Sequence, residues 1–323
     1  MVSVCASRGC ADFGGRLQLQ GVNSEALQSR DTPLKVAIIG CSGMLGSTAF
    51  RLLDTLFPGE VYATARSASA AGYLEPRLAA RVTSGIDVEN VDSLVKFFSQ
   101  VRPTVVVNCV GVVKQLASAN DPLVSIPINA IFPHRLARLC EIAGARLIHI
   151  STDCIFTGRK GNYNESDTPD AEDLYGRSKL LGEVDYPNAV TLRTSIIGPE
   201  VGGKNGLVEW FLSQRGEVQG YRKAIFSGLT TDALARLIAA HVIPNHLLRG
   251  VYHVSADPIS KYDLLKLVKD VYGVDTAIQP TDSVALDRSL DSSRFRKATG
   301  YKPPSWRELI VDMRAFSDKR QQV

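Results

Sequence analysis

The stretch Arg146-Leu147-Ile148-His149-Ile150-Ser151-Thr152-Asp153 leads, after a polar loop, into Tyr175-Gly176-Arg177-Ser178-Lys179-Leu180-Leu181-Gly182-Glu183. Its first part is a short apolar strand ending on hydroxyls, and its second part opens a helix. Residues four apart on a helix share one face, so Tyr175 and Lys179 stand about one turn apart on the same side. A phenol with its ordinary pKa of about 10 is a weak acid at neutral pH and a poor base. A neighbouring ammonium favours the phenolate and brings that proton into range for acid–base work on a carbonyl or alcohol. Thr152, at the strand end, is placed to hydrogen-bond the same substrate oxygen. Such a set moves protons and lacks a hydride donor.

By itself Tyr-x-x-x-Lys says little. With ten tyrosines in the chain, chance supplies about half a match. A second match indeed stands at Tyr262-Asp263-Leu264-Leu265-Lys266. There Leu264, Leu265, Leu267, Val268 and Val271 form a helical stripe, and the reading is ordinary helix surface and core. Context sets Tyr175 apart: a hydroxyl-ended strand, a loop of suitable length and a nucleotide-binding turn upstream.

That turn follows the buried-type strand Val36-Ala37-Ile38-Ile39 and reads Gly40-Cys41-Ser42-Gly43-Met44-Leu45-Gly46 before an amphipathic helix through Leu56. Glycines there let the backbone approach a pyrophosphate, whose charge is met by the free N–H groups of the helix N-terminus. A second strand, Val61 to Ala65, ends at Arg66. A dinucleotide site for NAD usually has a carboxylate at this place, whereas a guanidinium suits a ribose 2′-phosphate, so NADP(H) is preferred and NAD(H) possible. A third strand is expected to end at Asp87-Val88, in reach of the adenine. After a helix over 90–101, the run Thr104-Val105-Val106-Val107-Asn108-Cys109-Val110-Gly111 has the continuous apolar character of a strand buried on both faces. Its end, Asn108 to Gly111, lies at the carboxyl edge where ligands bind. A helix from about Pro127 to Ala143 feeds the strand before Ser151, and a sixth strand, Ala189 to Arg193, is expected to close the sheet.

Strand and helix alternate five times, which predicts an α/β fold with a Rossmann-like doubly wound parallel sheet. Beyond Gly198 the pattern loosens, with helices over 206–215, 230–243 and 260–272, a strand over 250–255 and a short helix after Trp306. The predicted organisation is a dinucleotide-binding domain over 34–197 and a mainly substrate-binding lobe over 198–323. Residues 1–33 show neither period and no seven-residue apolar core, so a disordered extension rather than a secretory signal is expected. Arg222, Lys223 and Arg288 in the lobe are candidates for an anionic substrate group, with Lys114 and Asp153 nearer the reacting end.

Composition is that of an ordinary globular protein, with 45% hydrophobic and 22% charged residues over 323 positions. A net charge of +4 from scattered residues implies neither nucleic acid nor an anionic membrane as partner. No apolar run approaches the roughly eighteen residues of a membrane span. Six cysteines without metal-ligand spacing read as reduced thiols of a cytoplasmic protein. Five histidines without a His-Glu-x-x-His pattern leave a metal site unsupported.

Gly40 to Gly46, Asn108 to Gly111, Ser151-Thr152-Asp153 and Tyr175 to Lys179 occur in the order and spacing of the extended short-chain dehydrogenase/reductases. Within this pattern, Ser-Thr-Asp-x-Ile-Phe-x-Gly (151–158), Gly-x-Tyr-x-Glu-x-Asp-x-Pro (161–169) and Tyr-Gly-Arg-Ser-Lys-Leu-x-Gly-Glu (175–183) resemble the dTDP-4-dehydrorhamnose reductases. The likeness spans about 34–315. It implies an NADPH-dependent reductase of a nucleotide-linked 4-keto-6-deoxyhexose, with a homodimer as a candidate assembly and with Thr152, Tyr175 and Lys179 as the catalytic set. It further implies that Lys179 holds the nicotinamide ribose and that Asn129 helps set an active-site water. Dehydratases of the superfamily carry Asp-Glu after the threonine, whereas this chain has Asp153-Cys154. Rhamnose-type reductases show an aromatic after the sixth strand, whereas this chain has Ser195-Ile196-Ile197. Two alternatives stay open: a sugar-nucleotide epimerase, for which Cys109 is an acid/base candidate, and a non-catalytic regulatory subunit like the β subunit of methionine adenosyltransferase.

Overall fold

The computed structural model describes residues 33–200 and 206–321. All of the expected extension but Pro33 therefore lies outside the described residues. The chain proper begins with β1 (Val36–Ile39), whose four residues are wholly buried, as a strand covered on both faces requires. Helix α1 (Met44–Leu56) follows, then β2 (Val61–Ala65), β3 (Val82–Ser84), α2 (Val91–Val101) and β4 (Val105–Asn108). A π-type turn over Ile126–Ile131 runs into α3 (Phe132–Ile142), followed by β5 (Arg146–Thr152), α4 (Leu174–Leu181) and β6 (Ala189–Thr194).

These strands form one parallel sheet in the order β3-β2-β1-β4-β5-β6, so strand order reverses between β1 and β4. Apolar clusters cover both faces. One includes Leu94, Phe97, Phe132 and Leu136 from α2 and α3, and the other includes Ala49, Phe50 and Leu53 from α1. This is the doubly wound α/β architecture that the alternation of elements predicts.

Two expectations are corrected. β3 stops at Ser84 rather than at Asp87-Val88, because Gly85 takes φ +80° and Asp87 turns its carboxylate onto the backbone N–H of Glu89. Nor does β6 close the sheet. A seventh parallel strand, β10 (Gly250–His253), pairs with it from Val190 to Arg193, so the chain beyond 198 returns to the main sheet.

Before that return come β7 (Ile196–Ile197), α5 (Leu207–Ser213), β8 (Glu217–Phe226), β9 (Leu229–Thr230) and α6 (Thr231–Leu237). After it come β11 (Ile259–Ser260), α7 (Lys261–Tyr272), β12 (Ala277–Asp287), α8 (Ser293–Thr299) and α9 (Trp306–Gln321). β8 is the centre of a three-stranded sheet, antiparallel to β11 and parallel to β12. The helix after Trp306 is sixteen residues long, not short. No helix among the described residues is long and apolar enough to cross a membrane.

Candidate functional site

A cleft of about 680 Å³ opens at the carboxyl edge of the sheet, between the α1 turn, the ends of β4, β5 and β6, and the β8–α7–β12 lobe. That volume lies within the range of small-molecule sites, and the position is the one the switch-point rule assigns. Ser42, Gly43, Met44, Leu45, Asn108, Cys109, Val110, Gly111, Lys114, Thr152, Asp153, Tyr175, Lys179 and Arg288 all line it. The structure thus gathers most of the residues singled out from the sequence.

The turn before α1 has the shape a pyrophosphate needs. Gly40 sits at φ +90° with its amide held by the Thr64 hydroxyl at 3.1 Å, and a Cβ on Gly46 would collide with the Gly40 carbonyl. Gly43 is the N-cap of α1 without a side-chain cap, and no acidic residue stands in the first turn. The first N–H groups of the helix are therefore left for an anion. Ser42 and Gly43 are exposed.

Arg66 lies just beyond β2, exposed, two residues past Thr64, which pairs with Ile39 at the start of the turn. Asp87 and Val88 follow β3 on the same edge, with Asp87 exposed. None of the three reaches the cleft itself; they extend its edge on the side of β2 and β3. Asn108 is buried, its amide nitrogen bonded to His149 Nδ1 at 3.1 Å and its oxygen accepting from the Val110 N–H at 3.1 Å. It shapes the β4 turn from behind.

Helix α4 carries the phenol and the ammonium. Asp173 caps it by accepting from the Gly176 N–H at 2.8 Å. A Cβ on Gly176 would strike the Cys154 carbonyl, and one on Gly182 the Asn129 carbonyl, so both glycines let the helix lie close to its neighbours. That close approach sets Tyr175 beside Thr152. The Thr152 hydroxyl donates to Asp153 Oδ1 at 3.2 Å and accepts from the Cys154 N–H at 3.1 Å. Lys179 is buried and donates to the Ile150 carbonyl at 2.8 Å.

The electrostatics differ from the expectation that Lys179 lowers the phenol. Burial pushes the Tyr175 pKa up, well above its ordinary value, with Cys154, Asp153 and Asp173 adding to the rise and Thr152 opposing it. The ammonium is spent on Ile150, and burial lowers its own pKa to about 8, against an opposing pull from Glu183. At neutral pH the pair is therefore a neutral phenol and a charged lysine. A phenol in that state gives a proton rather than taking one.

Asn129 is buried, and its side chain is fully engaged. Its oxygen accepts from the Val112 N–H at 2.9 Å, and its nitrogen donates to the Val112 carbonyl and the Ser178 hydroxyl at 3.2 and 3.3 Å. It clamps the β4 turn to α4 from within the π-type turn.

Among the substrate-side candidates, Asp153 is buried, and burial raises its carboxyl pKa while Arg288 pulls it back. Arg288 donates to the Phe156 carbonyl at 2.7 Å and to Cys154 Sγ at 3.6 Å. Lys114 pairs with Asp173 at 2.6 Å. Arg222 and Lys223 are not brought to the cleft. They are exposed on β8 and share Asp282 of β12 at 2.8 and 3.5 Å, where the register of the two strands shifts between Thr281 and Ala285.

Lys261 is a cleft cation that the sequence reading missed. Lys261 opens α7, lines the cleft, and holds Nζ 5.5 Å from the Phe226 ring centroid; burial lowers its pKa while Asp153 opposes. Its signal in the sequence was a cation in the first turn of a helix, where the macrodipole disfavours one.

Tyr175 and Lys179 on one helix face, Thr152 at the end of β5 and an uncapped glycine turn on the same sheet edge form the pattern of one class, the extended short-chain dehydrogenase/reductases. The chain belongs to the RmlD substrate binding domain family, which matches residues 34–317. The dTDP-4-dehydrorhamnose reductase of Aggregatibacter actinomycetemcomitans is 24% identical over 260 residues, covering 73% of this chain and 88% of that one. Methionine adenosyltransferase 2 subunit beta of Danio rerio is 27% identical over 254 residues, 74% of each chain. In fold, the chain is similar to the crystal structure of dTDP-4-dehydrorhamnose reductase from Bacillus anthracis in complex with NADP. The TM-score is 0.71 at 22% identity, over 87% of this chain and 99% of that chain.

Proposed function

We propose that this protein is an NADPH-dependent reductase of the 4-keto group on a nucleotide-linked 6-deoxyhexose. The observation that carries the reading is Tyr175 beside Thr152, held as a neutral phenol in a cleft that also contains the open N-terminus of α1. Reduced nicotinamide, when bound, supplies the hydride. The chain's residues do the rest. The α1 turn would hold the pyrophosphate, and Arg66 would meet the ribose phosphate. Lys179 would hold the nicotinamide ribose while anchored to Ile150. Tyr175 would give its proton to the carbonyl oxygen of the substrate, and Thr152 would orient that oxygen.

Cys154, where a dehydratase has glutamate, is pushed up to about 12, first by burial, so it is no base for removing a proton during water loss. Cys109, also pushed up to about 12 by burial, is equally unsuited to epimerisation. A homodimer fits the exposed Leu123, Ile126, Ile131 and Leu181, carried by the packed segments Pro122–Ile131 and α4. Four free thiols among the described residues fit a cytoplasmic protein.

The likeness to the methionine adenosyltransferase subunit keeps one other reading in play, a binding subunit without turnover. Oxidation of NADPH with a panel of 4-keto nucleotide sugars separates the two. Turnover supports the reductase. Thermal stabilisation by NADPH with no turnover on any of them supports the subunit.

A further inference from the structure

Behind the cleft lies a buried ionic cluster that no step above uses. Glu183, just past the end of α4, is gripped by Arg193 of β6: Nε donates to both carboxylate oxygens at 2.9 and 3.1 Å, and Nη2 to Oε2 at 2.7 Å. Both side chains are about 7% exposed. Ser151 Oγ donates to the same carboxylate at 2.7 Å. Ser151 is the residue after Ile150, whose carbonyl takes the Lys179 ammonium. Lys179 and Glu183 are thus four residues apart in sequence and dock on consecutive residues of the β5 end.

A buried ion pair of this kind gives little net stability, and a hydrophobic replacement often does as well. Its placement against the active-site lysine is therefore the informative feature. We propose that Glu183 is a positioning residue for Lys179: clasped by Ser151 and Arg193, it fixes a carboxylate one helical turn from the ammonium, on the next residue of the β5 end.

The surroundings leave this role to Glu183. Around Lys179 stand Tyr175 on its own helix, neutral, and His149 on β5, whose pKa burial and then the Lys179 charge hold well below the ordinary imidazole value. Around Glu183 stand Arg193 and, behind it, His253 of β10. His253 bonds Arg193 Nη1 through Nε2 at 3.2 Å and the Tyr163 carbonyl through Nδ1 at 2.9 Å. Burial, then Arg193, lower its pKa to about 4, so it too is neutral. Glu183 is the group that opposes the desolvation of Lys179.

The test reads Lys179 directly, from the 13Cε shift of labelled lysine in the cofactor-free protein, assigned by the signal lost in Lys179→Met. Wild type titrates near pH 8. Glu183→Gln moves the midpoint down by about one pH unit, a tenfold smaller charged-to-neutral ratio at any given pH. Arg193→Gln bares the carboxylate and moves the midpoint up, while Glu183→Asp, which keeps the charge, stays near wild type. Damage to the fold alone would move the Gln variants alike, so opposite shifts are the signature. Where Glu183→Gln does not fold, the upward shift in Arg193→Gln carries the test. An unchanged midpoint in Glu183→Gln, or a shift of the same sign in both, overturns the proposal. The proposal rests on the reductase reading only for its consequence, a basic limb of kcat/KM that moves with the midpoint. Absence of turnover in wild type would count against that reading and leave the titration result standing.

Discussion

Lys179 crosses from α4 to the carbonyl of Ile150 at 2.8 Å, two residues before Thr152. This one bond ties the helix bearing the phenol to the strand bearing the hydroxyl. It also explains why the ammonium leaves the phenol neutral: its charge is directed at a backbone oxygen, and burial governs Tyr175. The proton-donating state follows from that geometry.

Tyr175→Phe removes the donor and keeps the ring. The general-acid contribution is about a hundred- to ten-thousand-fold, so kcat falls by that amount while the NADPH dissociation constant stays within about twofold. Tyr262→Phe leaves kcat unchanged. Half the turnover surviving in Tyr175→Phe removes Tyr175 from the chemistry.

The buried ammonium is also legible in stability. Folding lowers the Lys179 pKa from 10.5 to about 8. The unfolded chain then binds more protons between those values, so this residue makes stability rise from about pH 8 to pH 10.5 and cost a constant amount below pH 8. A lowering of that size costs about 3 kcal/mol below pH 8, a net figure that already includes the bond to Ile150, since that bond favours the charged form. Lys179→Met is therefore at least as stable as wild type at pH 7, although inactive. Its stability difference from wild type shrinks between pH 8 and 10.5. Parallel denaturation curves across that window, with a constant difference, count against the titration.

Lys261→Ala and Arg288→Ala each raise the KM for the sugar nucleotide by about tenfold or more, the scale of one bond to a charged group. NADPH binding is unaffected. Arg222→Ala and Lys223→Ala leave both constants alone, since those side chains are spent on Asp282 outside the cleft. The reverse pattern in steady-state kinetics places the substrate anion on the outer sheet.

NADPH is preferred over NADH, chiefly through Arg66. No carboxylate follows β2 until Glu75, and a guanidinium grips a phosphate bidentately. Arg66 is exposed, so the discrimination sits near the low end of the range for charged bonds, about tenfold. The ratio of kcat/KM for the two cofactors collapses toward one in Arg66→Ala. An unchanged ratio makes Arg66 a surface charge.

Leu123 and Leu181 are 83% and 65% exposed on neighbouring segments, and the proposed homodimer would cover this apolar face. The expected sedimentation result is a dimer for wild type and a monomer for Leu123→Glu combined with Leu181→Glu. A wild-type monomer at micromolar concentration removes the dimer.

The local chain determined a good deal by itself. The short apolar runs at 36–39 and 105–107, rich in β-branched residues, read as strands covered on both faces, and glycines between strand and helix mark where a backbone must come close to something. The four-residue spacing of Tyr175 and Lys179 places them on one helix face whatever surrounds them. These are properties of a few consecutive residues, set by side-chain period and backbone sterics. The tertiary structure decided what depends on distance through space. β10 reached the edge of the main sheet from sixty residues beyond β6, and no local pattern encodes a partner. Arg222 and Lys223 looked like cleft cations until Asp282 met them on β12, while Lys261, which was not among the candidates, entered the cleft. The charge state of the reacting pair belonged to this second kind as well. Spacing shows that an ammonium is near a phenol, but only burial and the Ile150 carbonyl decide which of the two keeps its proton, because desolvation is a property of the packed whole.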